Sequence, residues 1–175
     1  VSNQTQPEMK KRNTKSSSAA APKRLMPLSR KAQTVINVTF LYEEPDTRSW
    51  ARDAYERICL EHGAANVRAT WWKMNDLTVP GVLAGAVSTA MRADVVLIAA
   101  TGSEGLPLPF YFWINAWAPH RTQAGGKISA ILGAPDETGA RTGRVADYLK
   151  AVADQTGMEF QLAERSLVLE SALSK

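Results

Sequence analysis

Val95-Val96-Leu97-Ile98-Ala99-Ala100 runs into the loop Thr101-Gly102-Ser103-Glu104-Gly105-Leu106-Pro107-Leu108-Pro109, and then into Phe110-Tyr111-Phe112-Trp113-Ile114-Asn115-Ala116-Trp117. The apolar run has no alternation, which is what a strand needs when helices cover both of its faces, as in a parallel sheet. The Gly-rich loop and the aromatic segment at helical spacing complete a strand-loop-helix unit. Pro107 or Pro109 suits the helix start, and Pro119 with Gly125-Gly126 ends or kinks it.

The same alternation extends outward in both directions. Val35 to Tyr42 reads as a first strand. Asp46 or Thr47 is expected to cap the following helix, which runs to about His62 with Trp50, Ala54 and Ile58 inward and Gly63 as stop. A second strand over Asn66 to Met74 carries Trp71-Trp72, which face opposite sides of any sheet. Pro80 opens a helix to about Arg92 whose Gly81, Ala84, Gly85 and Ala86 permit close approach to the sheet. A fourth strand is expected over Lys127 to Gly133, a fourth helix from Arg141 to Thr156, and an edge strand over Met158 to Ala163. Residues 166–175 suit a truncated last helix. Strands alternating with helices across short loops predict an α/β three-layer sandwich with a five-stranded parallel sheet of order 2-1-3-4-5.

Residues 1–33 lack periodicity and centre on Ser16-Ser17-Ser18-Ala19-Ala20-Ala21-Pro22, so we expect a disordered tail before a domain at 34–175. The net charge of +4 is unevenly divided: residues 1–31 hold eight basic side chains against Glu8, a balance of +7, which leaves −3 for the rest. The basic character belongs to the tail, and a solvated tail and an electrostatic arm for polyanions are its two readings. No stretch reaches the ~18 apolar residues of a membrane span, and the N-terminus has no apolar signal core, so a cytoplasmic protein is expected. Cys59 is the single cysteine and His62 and His120 the only histidines, which leaves no intramolecular disulfide and argues against a zinc site. No Gly-x-Ser-x-Gly elbow or Ser, His and acid set is evident.

In a sheet of this order the crevice lies beyond the carboxyl ends of the strands, at the switch between the first and third. Its expected walls are residues 43–49, 101–109 and 134–139, the last including Asp136. The segment from Ala93 to Gly133, with its apolar strand, Gly-Ser loop, prolines and Trp-bearing helix, resembles the equivalent part of flavodoxin-like proteins, including flavin reductases. That resemblance implies FMN as a cofactor. Its phosphate would be held by Thr47, Arg48 and Ser49, and its ring, or an anion, by the loop bearing Thr101, Gly102, Ser103 and Gly105, with Asp136 alongside. In this chain the phosphate loop reads Glu43-Glu44-Pro45-Asp46-Thr47-Arg48-Ser49. Its three carboxylates repel a phosphate, and Pro45 removes a backbone donor.

The acids after the first strand also resemble those of a response-regulator receiver, which implies magnesium at Glu43, Glu44 and Asp46. However, Ala100-Thr101 stands where that family places its phospho-accepting Asp, and no Lys ends the fifth strand. Trp113 and Trp117 share a helical face and read as core or interface packing, with ligand stacking as the alternative. The reading that follows is a non-catalytic binding or protein-interaction module with a degenerate phosphate loop, partnered by another protein or a second copy. An FMN-dependent oxidoreductase with an atypical phosphate site is the alternative, and polyanion binding through residues 1–31 is the second.

Overall fold

The computed structural model describes residues 34–102, 105–133 and 139–163, the side chains of 139–142 excepted. The sheet has five parallel strands in the order β2-β1-β3-β4-β5, which is the flavodoxin-like arrangement. The strands are β1 (Ile36–Tyr42), β2 (Val67–Lys73), β3 (Val95–Ala100), β4 (Lys127–Leu132) and β5 (Glu159–Ala163). The helices between them are α1 (Pro45–His62), α2 (Pro80–Met91), α3 (Leu108–Trp117) and α4 (Gly139–Thr156). Element ends shift by a residue or two from the sequence expectation. The residues expected to form a tail and a last helix lie outside the described ones.

β3 is the centre of the sheet, and Val96–Ala100 are all buried. On one face Leu41, Val96, Ile98, Ile128 and Ala130 pack with α2, α3 and α4, through side chains that include Phe110, Trp113, Trp117 and Leu149. On the other, Val38, Phe40, Leu97 and Ile131 meet α1. Trp113 and Trp117 are wholly buried with ring centroids 5.4 Å apart, so this pair belongs to the core. Neither indole N–H has a protein partner among the described residues. An unpaired polar group costs about 1–3 kcal/mol. Burying a ring of about 200 Å² at about 25 cal/mol/Å² contributes about 5 kcal/mol. The packing term wins.

Trp71 and Trp72 do face opposite sides, and each packs against a helix. Trp71 stacks on Phe40, with centroids 4.1 Å apart and planes at 8°, and meets Tyr55 of α1 edge-on. The Trp72 ring lies over α2, where a Cβ on Gly85 would sit 2.8 Å from it, and its N–H donates to Thr89 Oγ1 at 3.1 Å. The small residues of α2 are what let this helix approach so closely.

One local expectation is corrected. The N-cap of α1 is Glu44, not Asp46 or Thr47, and Pro45 takes the first helical position. Proline fits there because its missing N–H would have had no helical partner. Thr47 is thereby placed one turn in, at the third helical position.

Candidate functional site

β1 lies between β2 and β3, and the chain leaves β1 for β2 on one side and returns from β2 to β3 on the other. The carboxyl ends of β1 and β3 are therefore where a sheet of this order is expected to place its crevice. Glu43 leaves β1 and Thr101 leaves β3, and the parallel register brings the two together. One Glu43 carboxylate oxygen accepts from the Thr101 backbone N–H at 2.8 Å and from the Thr101 hydroxyl at 2.8 Å. Hydrogen bonds to a charged acceptor are the stronger kind. At this exposed position we take the low end of their range, about 1.5 kcal/mol.

Thr47 is fully buried, and its hydroxyl is the pivot of the loop. It accepts from the Glu43 N–H at 3.0 Å and the Glu44 N–H at 2.9 Å, and donates to the Glu44 carbonyl at 2.9 Å. The Glu43 N–H is shared with the Ala99 carbonyl at 3.1 Å. Pro45 has no N–H to give. The backbone donors at 43, 44 and 101 are therefore already engaged within the protein, and the Thr47 hydroxyl with them.

Arg48 and Ser49 point elsewhere. The Arg48 guanidinium carbon lies 5.6 Å from the centre of the Tyr42 ring. Arg48 and Ser49 also line, with Pro45, Arg52 and Trp71, a shallow pocket of about 250 Å³ that neither Thr101 nor Gly102 borders. Of the residues expected to hold a phosphate and ring, the structure joins Thr47 to Thr101 through Glu43 and sets Arg48 and Ser49 apart from them. Ser103 and Asp136 lie outside the described residues. Gly102 and Gly105 have φ of +70° and +93°. That left-handed backbone is reason enough for glycine at both.

The remaining charges are modestly placed. Lys73 Nζ is 3.8 Å from Glu44 Oε2, with both side chains part-exposed, a pairing worth about 0–1 kcal/mol. Cys59 neighbours Tyr55, and their hydrogen bond pushes the Tyr55 hydroxyl up from its ordinary value. His62 ends α1 3.8 Å from the exposed Glu61, a position that suits a cation at a helix C-terminus.

Two features escape the sequence. An acid directly after one strand and a threonine directly after the next-but-one is the signal for the Glu43–Thr101 contact, once the strand order is known. Arg121 gives no such signal, yet its guanidinium holds four backbone carbonyls, at Ala90, Met91, Ala93 and Gly125. No protein-family model matches this chain, and no curated protein matches it in sequence. The likeness to flavodoxin-like proteins therefore rests on strand order and the alternation of elements.

Proposed function

We propose that this domain is a non-catalytic binding module with a degenerate phosphate loop, built for contact with another protein, in which the anion-receiving donors of Thr101 are taken by its own carboxylate. One observation carries the reading: Glu43 accepts both Thr101 donors at 2.8 Å, where an anion of a ligand would otherwise be received. An anion arriving there would have to displace a covalently tethered carboxylate, and the phosphate loop itself carries Glu44 and Asp46 as well. Two negative charges about 4 Å apart at a protein surface repel by about 4 kcal/mol. On α3, Leu108 and Phe112 are 65% and 59% exposed one turn apart, and this apolar pair is the surface we assign to the partner.

Reconstitution with excess FMN followed by gel filtration tests this. The protein fraction is expected to show no flavin absorbance, and light scattering to show self-association or capture of a partner that Phe112→Ser weakens. Near-stoichiometric flavin in a strictly monomeric fraction would defeat the proposal in favour of redox chemistry.

A further inference from the structure

Away from the crevice, the α2 side of the sheet carries a polar block where parallel sheets are normally apolar. In the β1–β2 register Asn37 lies opposite Arg68, and Thr39 opposite Thr70. All four alternate onto the same face as Leu41, whose other neighbours there are Val96, Ile98, Ile128 and Ala130. Thr39 is only 2% exposed. A buried polar group is more informative than an exposed apolar one, because burial has to be compensated. Here the two threonine hydroxyls bond one another at 3.2 Å. They do not fill the space above them. A cavity of about 470 Å³ remains, lined by Asn37, Thr39, Arg68 and Thr70 with Thr89 and Arg92 from the end of α2.

Gly85 lets α2 come close to Trp72, and the Trp72 N–H holds Thr89, which fixes the end of α2 that borders the gap. The lining has two guanidiniums and no carboxylate. The nearest acid in the hydrogen-bond network, Asp94, is turned to the Asn37 N–H at 2.8 Å, the Asn37 side-chain amide at 3.2 Å and Gln123 at 3.3 Å. Among the described residues the Arg92 side chain bonds Ser88 Oγ at 3.1 Å and keeps further donors.

We infer that the cavity between β1, β2 and the end of α2 binds a small hydroxylated anion, its phosphate or carboxylate group on Arg68 and Arg92 and its hydroxyls on Thr39, Thr70 and Asn37. Guanidinium forks match such oxyanions in pairs of hydrogen bonds, and the volume falls in the range of small-molecule sites. The site is independent of the crevice and stands whether or not the crevice takes flavin.

Amide spectra of the full chain titrated with inorganic phosphate and with ribose 5-phosphate test it. Saturable shifts are expected at Thr39, Thr70, Thr89 and Arg92, larger and at lower concentration for ribose 5-phosphate. Both arginines are exposed, so Arg68→Gln and Arg92→Gln should leave the rest of the spectrum in place and weaken binding about tenfold each, or about 1.4 kcal/mol. Thr39→Val should erase the advantage of the sugar phosphate over phosphate. Absence of saturable shifts with either probe, or shifts indifferent to both arginine variants, overturns the inference.

Discussion

Arg121→Met is expected to lower folding stability by about 3 kcal/mol, with unfolding in urea shifted to lower midpoint and unchanged slope. The guanidinium donates to the Ala90, Ala93 and Gly125 carbonyls at 3.0 Å each and to Met91 at 3.3 Å. Three of those carbonyls belong to the last turn of α2 and the residues just past it, where helical carbonyls run out of partners. Methionine keeps most of the apolar stem, so the loss isolates the hydrogen bonds and charge rather than packing. Water regains access to some of these carbonyls, because Arg121 is only partly buried, and this holds the figure well below four full bonds. Burial pulls the guanidinium down from its ordinary value while Asp94 opposes that. An arginine nevertheless stays charged across the workable range, so the loss should be the same at about pH 6 and about pH 8. Lysine at this position should recover only a small part, since one ammonium does not span four acceptors. A loss below about 1 kcal/mol would mean that the α2 terminus is held by packing alone.

Gly133→Ala is expected to cost about 2 kcal/mol and to disturb the crevice directly. An added Cβ would lie 2.9 Å from the Thr101 carbonyl oxygen and 3.2 Å from its Cα. Both are backbone atoms, and neither strand end is free to yield. The Gly133 N–H donates to the Ala100 carbonyl at 2.9 Å, and Thr101 is fixed by Glu43. For a domain of this size the melting temperature should fall by about 5 °C, and the Thr101 amide signal should move. Gly102→Ala serves as the control. Its Cβ would meet nothing within 4 Å, although φ of +70° strains any side chain there, so about 1 kcal/mol is expected. Equal losses at the two positions would show that backbone conformation, and not contact with Thr101, sets the effect.

The fold was legible because each strand carries its own signature. Val95–Ala100 is apolar at every position, and only a strand covered on both faces asks for that. Prolines and glycines at the helix ends then leave little freedom in the connections. Side-chain direction in the loops was not legible. From the sequence Thr47 offers a hydroxyl to a ligand, and nothing in the spacing says that it turns inward to hold Glu43 and Glu44 instead. The shift of the cap to Glu44 is part of the same event. Nothing in the sequence marks Arg121, because the carbonyls on α2 that it holds lie some thirty positions back along the chain. The polar residues Asn37 and Thr39 were visible in β1, but their alignment with Arg68 and Thr70 exists only once β1 and β2 are paired.

The proposed internal occupation of the anion seat is tested most directly by the Thr101 amide signal during a phosphate titration of the native protein and of Glu43→Ala. Phosphate should leave the native Thr101 amide where it is, and the same anion should shift it saturably once the carboxylate is removed. A native Thr101 amide that moves with phosphate as far as the variant's would contradict it.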